Sequence, residues 1–456
     1  MLRSTSRMSN VEAGRGGRVL IRHLRRVVMI AAFIAVAAPV GAQDPAPAQD
    51  PEQAPPHDMS KMDMDMDMDM SDSSGWHLMQ DGSLYLLFNS QGGPRGGDEF
   101  TAPNWWMGMA TRRAGRGDLT LTGMFSLDPA TVGTGGYREL FQVGEAVDGK
   151  PVVDHQHPHD FWMQLGAAWR TTLAQKTGLT FAGAISGEPA LGPVAFMHRA
   201  SASAIPFAPL GHHTFDSTHV AFGVATVGVD RGPIAVEASV FNGREPDQHR
   251  WDFDFGSMDS VSGRIWYRPS PRWEFQLSSG HLVEPEQLHE GNVVRTTASG
   301  AFTSAVEGRL TALTVGYGVN ATDEVNRHAG FGEFSKSVGK TLTSARIEFV
   351  EVETELLRLG TLPDTPEGEA RKDLVGAFTF GAQRDILRWN GFTAALGGNV
   401  TLYQVPDALR ETHGQHPVSF QLFVTVRPPV GAMGRMLNMR MAGPPMTGSR
   451  QPVHQH

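Results

Sequence analysis

Residues 261–280 read VSGRIWYRPSPRWEFQLSSG, and this stretch decides the fold. From 261 to 267 the odd positions hold Val, Gly, Ile and Tyr, while the even positions hold Ser, Arg and Trp. After a Pro-Ser-Pro turn at 269–271, the apolar positions 273, 275 and 277 alternate with Glu, Gln and Ser. A period of two on both sides of a tight turn predicts an antiparallel hairpin with one apolar and one largely polar face.

The same alternation recurs between Trp76 and Arg427, for example over 161–170, 234–241 and 419–426. Alternation alone does not say whether the apolar face meets a second sheet, as in a soluble sandwich, or lipid. The connections between the strands favour lipid, because short turns alternate with long loops rich in His and Pro. The short turns lie near residues 113–117, 175–178, 230–233, 269–271, 305–308, 338–340 and 387–390, and the long loops near 90–103, 129–159, 189–216, 244–256, 285–292, 320–327, 355–371 and 405–415.

Seven short turns and eight long loops predict an all-β fold of about 16 antiparallel strands. Short turns at one end and long loops at the other are typical of a transmembrane outer-membrane β-barrel. An even number of strands places both chain ends on the periplasmic side. We therefore expect an outer-membrane barrel over residues 76–427.

The first 42 residues predict a signal peptide. Seven arginines precede or border the apolar run 27–40, and Gly41-Ala42 follows it. The run is shorter than the roughly 20 residues that a membrane-spanning helix needs, but it fits a secretory signal. An N-terminal membrane anchor is the alternative interpretation. Removal of residues 1–42 would leave an exported, acidic protein.

Residues 43–75 predict a disordered periplasmic segment that is first rich in Pro and then a Met-Asp repeat. Thioether sulfur is a soft ligand that suits Cu(I). The candidate ligands are His57, Met59, Met62, Met64, Met66, Met68 and Met70. The C-terminal tail, 428–456, also contains methionines and ends in His-Gln-His. A solubilising acidic tether is the alternative reading of the leader.

The whole-chain composition limits the chemistry. The chain of 456 residues has no Cys, so metal ligands must be His, Met or carboxylate, and disulfides and thiolate sites are excluded. A formal net charge of -9 argues against a nucleic-acid partner. We expect no organic cofactor, and copper ion is the candidate inorganic one.

Histidines concentrate in the predicted long loops. The densest groups are DHQHPHD at 154–160 and GHHTFDSTH at 211–219. Imidazoles beside carboxylates suit Cu(II) or Zn(II). The candidate loop ligands are His155, His157, His159, Asp160, Glu188, His198, His212, His213, Asp216 and His219. The alternative is structural, with these groups hydrogen-bonding to one another and folding the loops into the pore mouth.

The predicted topology brings these groups together. His159 and Asp160 open the fourth strand, Glu188 closes the fifth and His219 opens the sixth. Adjacent strands lie about 4.8 Å apart, so the fourth and sixth lie about 10 Å apart at the rim. Inward side chains can meet across that gap, and His159 and His219 are the favoured ligands.

Four segments carry a resemblance to a known group of proteins. DHQHPHDFWMQLGAAW, SGEPALGPVAFMHRASA, APLGHHTFDSTHVAFGV and FNGREPDQHRWDFD resemble a family of bacterial outer-membrane barrel proteins with an HQHPHD motif. The Met-Asp leader is similar in style to the leaders of copper-resistance outer-membrane proteins such as copper resistance protein B. Together these resemblances imply an envelope role in copper or related metal handling, and they supply no catalytic residue.

Three classes of function remain open. A metal-handling barrel would have the outer-membrane lipid, metal ions and periplasmic metal-handling proteins as partners. A general porin would line its lumen with inward charges; these are Arg170, Glu237, Arg264, Glu274, Arg346 and Glu348. A hydrolase would use the pair His159-Asp160 or Asp216-His219, but no nucleophile motif accompanies them, so we do not expect an enzyme.

Overall fold

The computed structural model describes residues 75–173, 176–306, 309–362 and 371–429. The predicted signal peptide, the Met-Asp repeat of the leader and the C-terminal tail beyond residue 429 lie outside the described residues. Within the described ranges, none of the helices combines the length and the hydropathy needed to cross a bilayer.

The described residues form 21 strands and a few very short helices. The strands are β1 His77–Gln91, β2 Gly97–Thr101, β3 Asn104–Ala114, β4 Gly117–Phe125, β5 Tyr137–Arg138, β6 Glu145–Val147, β7 Lys150–Val152, β8 His155–Gln156, β9 Trp162–Thr172, β10 Thr177–Gly187, β11 Ala221–Arg231, β12 Ile234–Phe241, β13 Ser260–Ser270, β14 Trp273–Leu282, β15 Val293–Val306, β16 Arg309–Ala321, β17 Asn326–Val338, β18 Thr341–Glu353, β19 Lys372–Trp389, β20 Phe392–Gln404 and β21 Val418–Arg427. The α-helices are α1 Asp128–Thr131, α2 His212–Phe215, α3 Thr354–Leu359 and α4 Arg410–His413.

The long strands close into an antiparallel barrel. Each strand pairs with the next long strand, and β21 pairs back with β1, so that Leu84 lies opposite Val426. Strands β2 and β3 both pair with β1 and form one barrel strand interrupted at residues 102–103. Counted this way, the described barrel has 16 antiparallel strands, which confirms the predicted fold class.

The barrel wall is apolar outside and polar inside. In β12, Ile234 and Val236 are about half exposed, while Glu237 and Ser239 are buried. The hairpin β13–β14 repeats the pattern, with Ile265 outward. A soluble barrel would bury its apolar positions, so this inverted arrangement is that of a barrel whose outer face meets lipid.

The two ends of the barrel differ as predicted. Strands on one end, here called the turn end, are joined by short turns, and those on the other, the loop end, by the long loops. The start of β1 and the end of β21 both lie at the turn end. The predicted turns therefore coincide with those of the structure, as do most of the loops, but the loop predicted at 90–103 contains β2, and the one predicted at 320–327 is only four residues long.

The long connection between β10 and β11 does not stay outside the barrel. Residues 188–220, here called the plug segment, are all buried except Met197, Ser203 and His213, which are half-buried. The segment contacts strands on nearly opposite sides of the lumen. Its hydrogen bonds to the wall include those from Ala190 N to Ser239 Oγ (2.7 Å), Gly192 N to Ser278 Oγ (2.9 Å), Ser201 Oγ to Thr314 Oγ1 (2.7 Å), Arg346 to the Phe207 carbonyl (3.0 Å) and Gln383 to the Ser203 carbonyl (3.2 Å).

Buried ion pairs anchor the plug segment. Arg199 is 2% exposed and donates to both oxygens of Glu333 on β17, each at 2.9 Å, and to Asp216 at 2.9 Å. Arg264 on β13 donates to Glu188 at 2.8 Å and to Glu237 at 2.9 Å. A buried charge is tolerated only when paired and hydrogen-bonded, so these inward charges serve the plug segment.

Tight backbone packing also fixes the segment. Gly192 has a φ of +78°, and a Cβ there would lie 2.2 Å from the Phe215 carbonyl oxygen. Only glycine satisfies both requirements. The two ends of the plug segment are thereby held against each other.

Candidate metal centre

Five imidazoles form one contiguous group at the loop end of the plug segment. We call it the imidazole cluster; its members are His157, His159, His212, His213 and His219. The ring centroids lie 5.4 Å apart for His212 and His219, and 5.5 Å apart for His159 and His219. His157 lies 5.5 Å from His212 and 5.7 Å from His213. The predicted meeting of the fourth and sixth strands at His159 and His219 is therefore present.

Each ring is oriented through its Nδ1 atom. Carboxylates hold three of them: Asp128 contacts His159 at 2.8 Å, Asp216 contacts His212 at 2.8 Å and Glu245 contacts His213 at 3.0 Å. Backbone carbonyls hold the other two, with Asp216 O at 2.6 Å from His219 and Pro158 O at 3.2 Å from His157. Metal-ligating histidines usually have their second nitrogen held in this way, which leaves Nε2 for the ion.

The loop between β4 and β9 supplies one side of the cluster. It folds as two small ladders, in which β5 pairs with β8 and β6 with β7. The first ladder leads directly into His157, and the second carries Glu145. At Gly144 a Cβ would lie 2.8 Å from the His213 ring, so glycine lets the backbone approach the imidazole.

Glu145, His157 and His213 offer one set of three ligand atoms, all within 4.8 Å of one another. Glu145 Oε1 lies 3.5 Å from His157 Nε2 and has no hydrogen-bond partner among the described residues. The other oxygen of Glu145 accepts from Arg250 at 2.7 Å. One carboxylate oxygen is thus left directed at two imidazoles.

His159, His212 and His219 form a second set of neighbouring rings, in which the His219 ring lies next to both others. The Nε2 atoms of His212 and His219 are buried and have no hydrogen-bond partner within the described part of the chain. Zinc–nitrogen bonds are about 2.0–2.1 Å long, so two imidazoles on one tetrahedral ion have ring centroids about 5 Å apart. The observed 5.4–5.5 Å is within a few tenths of an ångström of that spacing.

The electrostatics keep most of these rings neutral. Burial lowers the pKa of His157 and His212, and it lowers the pKa of His219 to about 3. Burial opposes protonation of His213 too, but the Glu245 carboxylate outweighs it and raises the pKa of His213 to about 9. Burial raises the pKa of Glu145 to about 7. Neutral imidazole is the form that binds a metal ion, so His213 has to release a proton before it acts as a ligand.

Four predicted ligands lie outside the cluster. His155 turns its Nδ1 to the Val153 carbonyl at 3.0 Å. Asp160 pairs with Arg250 at 3.2 Å, and Glu188 pairs with Arg264. His198 is buried against Trp105, with centroids 4.9 Å apart. Asp216 is present, but as the support of His212 and His219, and the leader ligands lie outside the described residues.

The two acid–base pairs considered for a hydrolase do not form. His159 contacts Asp128, and the carboxylate of Asp160 contacts Arg250. His219 contacts the backbone carbonyl of Asp216 and not its carboxylate. The two predicted pairs are therefore absent, and the observed His–carboxylate pairs at these places are His159 with Asp128 and His212 with Asp216.

Sequence reasoning missed three acidic residues of the site. Asp128 and Glu145 lie in the β4–β9 connection but outside its His motif, Glu245 lies in another loop, and each contacts a cluster histidine 12 to 32 residues away in the chain. The segment 241–254, which contains Glu245 and Arg250, was singled out only as part of a resemblance. The charged residues of this segment were the one feature of the sequence that could have indicated its part in the site.

No family model matches the chain, and no curated protein matches it. Several solved structures of outer-membrane proteins are similar to it. The anion-selective porin of Comamonas acidovorans has 9% identity and a TM-score of 0.47 and covers 77% of this chain and 100% of its own. Pseudomonas putida OprB has 10% identity and a TM-score of 0.48, and the match covers 78% of this chain and 94% of OprB. OmpT, an outer-membrane protein of Vibrio cholerae, has 9% identity and a TM-score of 0.44, and the match covers 78% of this chain and 98% of OmpT.

Proposed function

We propose that this porin-like barrel binds divalent metal ions, copper or zinc, at the imidazole cluster and serves metal binding, tolerance or passage at the outer membrane. The observation that carries the proposal is the orientation of the rings: every Nδ1 is held by an acceptor. The buried Nε2 atoms of His212 and His219 then have no hydrogen-bond partner among the described residues. Buried polar atoms are rarely left unsatisfied, so a ligand for them is expected.

The donor set suits the proposed ions. Neutral imidazole and carboxylate oxygen are ligands of Zn(II) and Cu(II). Glu145 and Glu245 provide negative charge beside the rings, which offsets the charge of an incoming ion. The resemblance of the leader to copper-resistance leaders points in the same direction, and periplasmic metal-handling proteins are the proposed partners.

A general solute channel is the alternative. Its lumen would be bordered by free inward charges, but several of these bind the plug segment. Arg264 pairs with Glu188, Arg346 donates to the Phe207 carbonyl, and Glu348 accepts from Leu210 N at 2.6 Å. Solute passage through the centre would require the plug segment to leave these contacts.

The test is calorimetric titration of Zn(II) and Cu(II) into the full chain in detergent, without a polyhistidine tag. The variant pairs are His157→Ala with His213→Ala, and His159→Ala with His219→Ala. We expect each pair to lower the affinity of the tightest divalent site at pH 7.5 by at least tenfold, about 1.4 kcal/mol. The loss follows because each pair removes two ligands from one set.

His249→Ala is the matched control, because the His249 side chain is exposed and its ring pairs with Asp247 in its own loop. It should leave the tight site unchanged. Circular dichroism would establish that every variant keeps its β-barrel spectrum. Unchanged affinity in both double variants, with the barrel folded, would refute the proposal and support a purely structural role for the histidines.

A further inference from the structure

Methionines gather at one place inside the barrel. The described ranges contain seven methionines, and six of them pack in a single cluster. This methionine cluster consists of Met79, Met107, Met109, Met124, Met163 and Met197. The seventh, Met258, is 45% exposed. Such concentration contrasts with the inner wall of β12–β14, where inward positions are mostly Ser, Gln, Glu and Arg.

The strand register explains why these side chains meet. Met79 on β1 lies directly opposite Met109 on β3, and Met107 on β3 lies directly opposite Met124 on β4. Side chains directly opposite each other in antiparallel strands have Cβ atoms about 4.5–5.5 Å apart. Met163, at the start of the next strand, completes a continuous patch on four neighbouring strands.

The patch is covered from the lumen side by the plug segment. Met197 packs against it, and Met107, Met124 and Met163 are at most 2% exposed. Met79 and Met109 are half-buried on the side of the turn end. The cluster thus has a dry interior and one side that faces the mouth where both described chain ends lie.

A buried nitrogen borders the cluster. His198, which follows Met197, is 4% exposed, and its Nδ1 has no hydrogen-bond partner among the described residues. Its ring packs edge-on against Trp105, itself a member of the same packed group. A cavity of about 40 Å³ beside it is lined by Met197 of the cluster and by His198, together with Trp105, His159 and Arg199 among others. This is room enough for an ion, since one water needs about 10–15 Å³.

We propose that the methionine cluster, with His198, is a second metal site that takes soft monovalent ions of the Cu(I) and Ag(I) class. Thioethers are neutral, soft ligands that favour Cu(I) over Zn(II). The register places the Asp81 carboxylate opposite Met107, where it balances the charge of the ion. The site differs from the imidazole cluster in its ligands, although His159 of that cluster lines the same cavity, and the inference does not rest on the function proposed above.

Simple apolar packing is the competing account, and methionine-to-leucine substitution distinguishes the two. Leucine preserves volume at a cost usually below about 1.5 kcal/mol but removes the sulfur. The test uses the full chain in detergent, with methyl-labelled methionine and Ag(I) as the probe. Methyl resonances report each thioether separately, so the leader and tail methionines do not obscure the cluster.

In the unmodified chain, we expect the cluster resonances to shift on addition of Ag(I). In Met107→Leu with Met124→Leu, the shifts of Met79 and Met109 should need at least tenfold more Ag(I). Met258→Leu, the matched control, should leave the cluster titration unchanged. The imidazole variants His157→Ala and His213→Ala should also leave it unchanged, which separates the two proposals.

Two results would overturn the inference. Cluster resonances that stay fixed in the unmodified chain, while leader resonances shift, would mean that the cluster is only packing. An Ag(I) titration of Met79 and Met109 that is the same with and without Met107 and Met124 would mean that the cluster does not act as one site.

Discussion

Replacement of Arg199 by Leu should release the plug segment while leaving the barrel wall intact. Arg199 donates two hydrogen bonds to Glu333, one to Asp216 and one to the Val194 carbonyl. Without the guanidinium, two buried carboxylates lose a partner. Removal of one partner from a buried ion pair costs about 3–5 kcal/mol.

The structure indicates that the loss of stability of the seated plug segment lies near the lower end of this range. Glu333 retains Arg346 at 3.1 Å, and Asp216 retains His212 at 2.8 Å, so neither carboxylate is left alone. A cost of about 3 kcal/mol corresponds to roughly a hundredfold larger population of released plug, since each 1.4 kcal/mol is a factor of ten. The barrel ladder does not involve Arg199 and should keep its stability.

The assay is single-channel conductance in planar bilayers, with limited proteolysis of the same protein in detergent. Arg199→Leu should increase the open fraction and expose residues 188–220 to protease. Arg244→Leu is the control, because Arg244 pairs with Asp259 at the surface, where an ion pair is worth about 0–1 kcal/mol. Equal conductance and equal protease resistance in Arg199→Leu and the unmodified chain would refute the anchoring role.

Two further predictions concern pH. A peptide spanning residues 57–72 should retain Cu(I) at pH 5, because thioether ligation releases no proton. Binding is measured by competition with a Cu(I) indicator. A steep loss of binding between pH 7 and pH 5 would assign the metal to His57 and the carboxylates instead. The loop at 285–292 should become less stable as pH rises. Burial opposes protonation of His289, but Glu353, 2.9 Å away, outweighs it and raises the pKa of His289, with Glu286 adding to the effect and Arg327 opposing it. The stabilisation is therefore complete below the ordinary pKa of about 6.5 and is lost as pH passes the raised value; amide exchange corrected for its intrinsic rate should show this, and His289→Gln should abolish it.

Local alternation was enough to predict the barrel. The hairpin at 261–278 has its apolar side chains outside and its polar ones inside, and each predicted turn coincides with an observed one. The strand count then placed His159 and His219 two strands apart, and their rings do meet. These features follow from a period of two and from counting, which need no knowledge of distant contacts.

Long-range pairing was beyond reach of the sequence. Glu188 was expected near the histidines, but its partner Arg264 lies 76 residues away, and Arg250 pairs with Asp160 across 90 residues. Which inward charges pair depends on how a loop folds across the lumen. Local periodicity contains no information on that.

The inward fold of residues 188–220 had a weaker signal. The stretch from 189 to 211 has Arg199 as its one side chain of type Asp, Glu, Lys or Arg, and it is rich in Ala, Pro and Phe. An exposed loop of that length would be expected to carry more charge. The methionine cluster was missed for a different reason, since five of its members are spread over four strands and meet through their register, while Met197 reaches them through the plug segment.

The carboxylate of Asp216 belongs to two structures at once. One oxygen orients His212 in the imidazole cluster, and the other accepts from Arg199, which ties the plug segment to β17. Seating of the plug segment and the proposed binding of an ion at the imidazoles would therefore depend on the same group, and thermodynamic linkage would make their coupling reciprocal. If an ion changes the equilibrium constant for plug release by some factor, then plug release must change the affinity for that ion by the same factor.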